Sequence, residues 1–481
     1  VTDSAPDSSR RRKPGAPVDK PDWRGRLLDV EVGPVAHGGH CVARFEGRVI
    51  FVRHALPDEQ VTVQVTEDNG GSFCRADAVQ IHRPSPHRVS PPCRYAHPGG
   101  CGGCDFQHVA LPEQRNLKAA VVAEQLERLA GLSWPVTVQP LPVLATAEGH
   151  SWTQVDTTPE PDGLRWRRRI RFATGTDGRL GLRVHRSHRT IPVTDCLIGA
   201  PGVGDAAELQ SIWPPAAELE IACDDRDEVA VLQWQPAPGG GSGSGRQRAR
   251  QNSRHRGRAE RPRLVSKHLT GPEELHYEVA GHQFQTRAGG FWQTHPAAAA
   301  RFTAAVLDSA RPRPGERALD LYAGAGLFTA VLADAVTASG GVLGLEADAS
   351  AVGDAEQNLR QQPWAVVRRE AVTPATIKAS VSRLGGSPEV VVLDPPRTGA
   401  GRDVMRALLE LLPRVVCYVA CDPAALARDL RTATELGWQL TDLVAFDAFP
   451  MTHHVECVAT LRPGAAARAA TDAAESAIPD Q

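Results

Sequence analysis

The segment ALDLYAGAGLFTAVLA, residues 318–333, decides the fold. It opens with a short apolar run, passes through a turn with glycines at 324 and 326, and continues as a longer apolar stretch: strand, turn, helix. Outward from it the same alternation persists. RALDLYAG, GGVLGLEAD, WAVVRRE, EVVVLDPP, RVVCYVACD and HHVECVATL are expected as strands. FTAVLADAV, SAVGDAEQNLRQ, DVMRALLELLP and PAALARDLRTATEL are expected as the helices between them. Short apolar strands alternating with helices predict a doubly wound, mainly parallel α/β sheet from residue 284 onward.

The rest of the 481 residues is organised differently. Residues 25–83 alternate apolar and polar side chains and break at Gly, Pro and Asn-Gly, which predicts a small antiparallel barrel of about five strands. A Cys-rich loop follows at 93–104. Next comes a helix with apolar positions Leu117, Val121, Val122, Leu126 and Leu129. Residues 135–235 read as mixed sheet, including the basic strand RWRRRIRFATG. Segment 236–263 is low in complexity, with eight arginines between 246 and 263 against one acid. It is expected as a flexible linker, with an RNA-touching arm as the alternative. The expected organisation is an arm at 1–24, the barrel at 25–83, an α+β central domain at 84–283 with an insertion at 236–263, the α/β domain at 284–463 and a tail at 464–481. Arm and tail are polar and expected to be disordered.

Net charge is −2, which excludes a uniformly cationic surface and confines any nucleic-acid face to local patches. No run reaches the roughly 18 apolar residues of a membrane span. The basic residues near the start have no apolar run behind them, so no secretory signal is expected. A cytoplasmic monomer is therefore expected. Disulfides are disfavoured there, and the ten cysteines need burial, metal or nucleophilic chemistry as their reason.

Gly324 and Gly326 permit close backbone approach to a ligand. The third glycine of a dinucleotide fingerprint is missing, and Thr329 stands there. Glu346 ends the next strand, where a carboxylate can accept both ribose hydroxyls. With Asp320 ahead of the turn, acidic-x-x-x-Gly-x-Gly is a pattern of S-adenosylmethionine sites.

Asp394-Pro395-Pro396-Arg397 ends the strand VVVL at the edge where such sheets bind ligands, and the prolines fix its exit. Cys421 stands where the next strand meets a helix, and a helix N-terminus is expected to favour its thiolate. Cys417 and Cys457 sit inside apolar strands and are expected to be packing residues, as are Cys41, Cys74 and Cys223. Glu456 is a carboxylate in an apolar strand. Such burial is costly unless a base with a raised pKa is wanted. His453 and His454 suit structural or RNA-contact roles. Cys93, Cys101 and Cys104, spaced C-x₇-C-x₂-C, with Cys196 further on, suit a tetrahedral sulfur site, zinc or iron–sulfur.

GGFWQTHPAAAA, DLYAGAGLFT, GLEADASAV, LDPPRTG, YVACDPAALARDL and DAFPMTHHVECV, in this order, resemble the RNA uracil-C5 methyltransferases, over roughly residues 25–463. The resemblance implies a Rossmann-like methyltransferase domain behind an OB-like TRAM barrel, with RNA (ribosomal or transfer) as partner. It implies that Cys421 attacks carbon 6 of uracil, that carbon 5 takes the methyl group of S-adenosylmethionine, and that Glu456 then removes the carbon 5 proton. Asp394 would hold the uracil edge or assist electrostatically and would also border the cofactor. Gln293, Asp320, Tyr322, Gly324, Gly326 and Glu346 would bind the cofactor, and Phe291, Gln293 and Arg397 the substrate. Cys93, Cys101, Cys104 and Cys196 would carry a [4Fe–4S] cluster in a structural or RNA-positioning role, although the first gap is two residues longer than the common form. Asp422 and His295 stand where Asn is frequent. Arg165, Arg167, Arg168, Arg169 and Arg171 are expected to meet phosphates, and Phe51 and Phe73 to stack on bases. The competing readings are an RNA-binding or chaperone protein with an inactive methyltransferase domain, and an RNA cytosine-C5 methyltransferase.

Overall fold

A computed structural model describes residues 22–142, 163–214, 217–236 and 264–465. Most of the expected arm, tail and Arg-rich insertion lies outside these. The described residues form two compact units: those up to 34 with 40–85, and 35–39 with those from 86 onward.

The first unit is a closed barrel. Its strands are β1 (Leu27–Ala36), β2 (His40–Phe45), β3 (Arg48–Arg53), β4 (Gln60–Asp68) and β5 (Phe73–Arg83), in the order β1-β2-β3-β5-β4. β3 and β5 run parallel, while β1 with β4, β2 with β3 and β4 with β5 run antiparallel. Alternate residues such as Leu28, Val30, Ile50, Val52, Val61 and Val63 fill its interior, with Cys41 and Cys74 among them. The buried Arg48 guanidinium grips Asp68 at 2.9 and 2.6 Å. Asp68 also accepts the Trp23 backbone N–H at 2.8 Å, and Arg48 lies 4.3 Å from the Trp23 ring centroid. This fastens the chain's entry to the barrel wall.

The second unit begins with α1 (Leu111–Gln125), one π-helical turn (Leu126–Ala130) and β6 (Val138–Pro140). A six-stranded antiparallel sheet follows. It comprises β7 (Arg169–Thr174), β8 (Leu180–Arg183), β9 (Thr190–Pro192), β10 (Glu218–Cys223), β11 (Val229–Pro236) and β12 (Leu264–Thr270), ordered β12-β11-β10-β7-β8-β9. The sheet expected as mixed is thus antiparallel throughout. The phosphate expectation for its arginines meets a correction. Arg169 and Arg171 share Glu220, Arg168 pairs with Asp225 and Arg165 with Asp195. Glu220 lies directly across the strands from Arg171, which also covers the Trp234 ring at 3.9 Å. Four of the five cations are spent on internal carboxylates.

A hairpin, β13 (Glu274–Val279) and β14 (His282–Arg287), leads to α2 (Ala298–Ala310). Then come β15 (Arg317–Leu321), α3 (Leu327–Val336), β16 (Gly341–Glu346), α4 (Ala349–Asn358), β17 (Ala365–Arg369), α5 (Pro374–Leu384), β18 (Val390–Leu393), α6 (Arg402–Leu409), β19 (Val415–Ala420), α7 (Pro423–Glu435), β20 (Trp438–Asp447) and β21 (Glu456–Pro463). The sheet order is β17-β16-β15-β18-β19-β21-β20-β6. β17 to β19 are parallel, and β21 inserts antiparallel between β19 and β20. β6 closes the edge beside β20, so this sheet draws on residues far before 284. VVVL in β18 and VVCYVA in β19 are buried on both faces, as strands covered by helices on two sides must be.

Candidate active site

Strand order reverses between β15 and β18, which is where doubly wound sheets open a crevice beyond their carboxyl ends. The register sets the candidate residues along that edge. Leu321 pairs with Leu393, Leu393 with Tyr418, and Ala420 with Cys457. One step past each pairing come Tyr322, Asp394, and Cys421 facing Glu456.

At the glycine turn, Tyr322, Gly324 and Gly326 have φ of +65°, +55° and +87°. A left-handed tyrosine is an uncommon, strained backbone of the kind that collects at ligand sites. A Cβ on Gly324 would meet nothing within 4 Å, whereas one on Gly326 would lie 3.3 Å from the Ala355 Cβ on α4. Asp320 is fully buried. Its Oδ2 accepts the Thr329 hydroxyl at 2.6 Å, and its Oδ1 has no protein partner. Burial raises its pKa to about 7. Glu346 Oε2 accepts the Gly324 N–H at 3.0 Å and Oε1 that of Asp348 at 2.8 Å. An orphaned buried acceptor, a second carboxylate at the turn and open space over Gly324 fit a polar nucleoside carrying a cationic centre. Gln293 is half-buried, while Phe291 is 69% exposed and Trp292 between them stacks on Tyr277 at 4.5 Å.

Cys421, Asp394, Glu456 and Arg397 act on one another electrostatically. Burial raises Asp394 to about 7, assisted by Asp320, so the acids of the glycine turn and of the thiol site form one row. Glu456, 5% exposed on an interior strand, is raised well above the carboxylate range by burial and then by Asp394. Cys421 is pushed up to about 12 by burial and by the carboxylates of Glu456 and Asp394. Burial and these carboxylates thus oppose the thiolate that the helix N-terminus was expected to favour. The N–H of Ala425 in the first turn of α7 is capped instead by Asp422 Oδ1 at 2.8 Å. Asp422 Oδ2 lies 3.1 Å from His37 Nε2. A cavity of about 120 Å³ is lined by His37, Lys118, Arg397, Cys421, Asp422 and both His453 and His454, among others. His295 is structural: buried, stacked on Trp166, held near 3 by burial and Arg168, and accepting the Ala297 N–H at 3.2 Å beside the start of α2.

Cys93, Cys101, Cys104 and Cys196 line a second cavity of about 390 Å³ together with Arg167, and among the described residues none of the four is in a disulfide. Cys101 Sγ accepts the Gly103 N–H and Cys104 Sγ the Gln107 amide, each at 3.4 Å. A Cβ on Gly102 would strike the His185 backbone at 2.4 Å, so glycine lets the loop press against Val184 and His185. Among the described residues no three His, Cys, Asp or Glu side chains close around a point as a single metal ion requires. Asp105, next to Cys104, reaches the other site: its carboxylate holds the His453 Nδ1 at 2.6 Å, and the N–H groups of Asp105 and Phe106 donate to Met451 O at 3.0 and 2.9 Å. His37, Lys118, Asp105 and the Asp447 that Lys118 grips at 2.5 Å gave no local signal in the sequence, because each acquires its partner from a distant segment.

Comparison with known proteins identifies the family. A family model described as tRNA (Uracil-5-)-methyltransferase matches residues 254–463, and one described as TRAM domain matches 23–79. The chain is 42% identical over 451 residues to an uncharacterised RNA methyltransferase of Streptomyces avermitilis, covering 92% of this chain and 99% of that one. It is 30% identical over 462 residues to a 23S rRNA (uracil(1939)-C(5))-methyltransferase of Shewanella sp. strain W3-18-1, covering 90% and 95%. The fold matches that of Pyrococcus abyssi tRNA (uracil-54, C5)-methyltransferase in complex with S-adenosyl-L-homocysteine, with a TM-score of 0.61, 20% identity, and coverage of 90% of this chain and 100% of that one. An edge carrying a glycine turn, a thiol and a buried carboxylate, behind a TRAM barrel and with relatives spanning nearly the whole chain, has one family reading: the chain belongs to the RNA uracil-C5 methyltransferases.

Proposed function

We propose that the chain forms 5-methyluridine in 23S ribosomal RNA, with Cys421 as nucleophile and Glu456 as base. The observation that carries the residue assignment is the β19–β21 register, which brings a thiol and a carboxylate 35 positions apart into opposition. The ribosomal substrate is supported by the Shewanella relative. The Cys421 thiol gives its proton to solvent and its sulfur bonds to carbon 6, sending the carbon 5–carbon 6 π pair toward the oxygen on carbon 4 and leaving the Glu456 carboxylate free for the later proton. S-adenosylmethionine, when bound, supplies the electrophilic methyl group that carbon 5 takes. Glu456 then removes the carbon 5 proton, the double bond re-forms, and the carbon 6–sulfur bond breaks. Asp320, Glu346, Tyr322, Gly324, Gly326 and Gln293 would line the nucleoside and amino-acid parts of the cofactor. Asp394 would hold the uracil edge at the border with the cofactor. Arg397, exposed at the rim, and the solvent-facing Phe291 would receive the RNA. The target uridine must be single-stranded or flipped out of a helix to reach this edge. Action as a monomer on cytoplasmic RNA is part of this proposal.

The barrel supplies a candidate stacking face of its own. Phe73 is 41% exposed, meets Phe51 edge-on at 5.5 Å, and Arg75 covers both rings at 5.2 and 5.9 Å. Aromatic faces with an arginine suit unpaired bases. Four thiols lining one cavity beside Arg167 are the donor set that an iron–sulfur cluster takes. Cys93, Cys101, Cys104 and Cys196 would hold a [4Fe–4S] group, whose role would be to stiffen the loop that Asp105 ties to His453.

The decisive experiment uses RNA containing 5-fluorouridine. Wild type forms a stable covalent adduct, and Cys421→Ala forms none and makes no 5-methyluridine. Glu456→Gln accumulates methylated RNA still bound to protein. Normal turnover in either variant contradicts its assignment. Anaerobically purified protein is expected to contain about four irons per chain, with a thiolate-to-iron absorption band. Zinc without iron would remove the cluster.

A further inference from the structure

The reaction above uses Cys421 and leaves its neighbour Asp422 without a part. Asp422 caps α7 through Oδ1, yet its charge lies beside the thiol and opposes ionisation there. Asparagine would cap as well without that charge. The second carboxylate oxygen is met by His37 Nε2 at 3.1 Å, and His37, Asp422 and Cys421 line the same cavity. His37 sits in a turn whose glycines make the approach possible. Gly38 and Gly39 have φ of +95° and +77°, and a Cβ on Gly39 would strike the His453 Cβ at 2.5 Å. Residues 35–39 belong by their contacts to the unit that carries Cys421.

The other charges nearby are accounted for. His37 is also faced by Arg428 and Glu124, and Cys421 by Glu456, Asp394 and Arg397. Of the remaining cavity wall, Lys118 is committed to Asp447, His453 to Asp105, and His454 is held neutral by burial. The hydrogen bond to Asp422 raises the pKa of His37, and Asp422 stays low because bonds from His37 and the Ala425 N–H outweigh its burial.

We propose that His37 is a positioning residue for the thiol: its imidazolium neutralises the Asp422 carboxylate, so the helix cap stays anchored without adding negative charge beside Cys421. This rests on Cys421 as the nucleophile. His37 keeps its proton through the range below its raised pKa and loses it as pH climbs past that value, so the help to the thiol is present below that value and disappears above it.

The test is the rate at which iodoacetamide alkylates Cys421 in the full chain, read by mass spectrometry of the Cys421 peptide from about pH 6 to 9. His37→Gln is expected to slow alkylation near neutral pH by about three- to tenfold, the equivalent of half to one pH unit in the thiol's titration. The gap to wild type should close in alkali, and the double variant His37→Gln with Asp422→Asn should recover the wild-type rate. In turnover, His37→Gln lowers kcat and leaves KM for RNA unchanged. An unchanged alkylation rate, a double variant as slow as the single one, or a raised KM with normal kcat would each overturn the proposal. Alkylation reports the thiol whatever its part in turnover, so this test and the Cys421→Ala test fail independently.

Discussion

Burial raises the pKa of both Glu456 and Cys421; Asp394 raises Glu456 further, and the Glu456 and Asp394 carboxylates raise Cys421 further. Replacing Glu456 with Gln removes the carboxylate whose charge raises the thiol. The Cys421 alkylation profile is therefore expected to move to lower pH by about one unit. A profile that stays put or moves upward would mean that the two groups do not interact. At this scale much of the site was legible in the sequence. Glu456 announces itself as a charge among Val455, Cys457 and Val458, and Cys421 as a thiol between a strand and a Pro-led helix. The protonation state was not legible, since helix polarity and burial push it in opposite directions and only the fold says that burial prevails. The pairing of His37 with Asp422 was equally hidden, because 385 positions separate them.

Among the elements, the strand–turn–helix at 317–336 carries the glycine chemistry. Gly324 and Gly326 both have left-handed backbones, so alanine at either costs roughly 1–2 kcal/mol in conformational strain. The consequences should differ. At Gly326 the new Cβ presses on Ala355, so thermal unfolding should fall further than for Gly324→Ala. At Gly324 it projects into open space, so the expected loss is in S-adenosylhomocysteine affinity, about tenfold by calorimetry. Equal effects of both variants on stability and affinity would contradict this division. The alternation of apolar strands and helices predicted β15 to β19 well. α2, α5, β6 and β20 were not picked out. β6 has only three residues, and α5 owes its start to the Thr373–Thr376 capping box rather than to an apolar stripe. The basic strand 165–171 misled for a related reason: its charge is visible in one segment, and the acids that cancel it, Asp195, Glu220 and Asp225, lie in others.

At the scale of the second unit, Lys118 ties together two segments far apart in the sequence. It is 1% exposed, reaches from α1 to Asp447 at the end of β20, and donates to Phe449 O at 3.0 Å. Lys118→Met leaves the Asp447 carboxylate buried without its cation and should cost about 3–5 kcal/mol in urea unfolding. Adding Asp447→Leu should return most of that. A single variant of wild-type stability would show that the pair holds nothing together. The insertion of β21 between β19 and β20 has a consequence for biosynthesis. On the proposed roles, a nascent chain still lacking residues 456–463 has its nucleophile Cys421 but not its base Glu456, and has a gap in its sheet between β19 and β20. Such a chain could at most attack RNA without letting go. Competence to release product arrives only when the ribosome has delivered the strand that completes the layer.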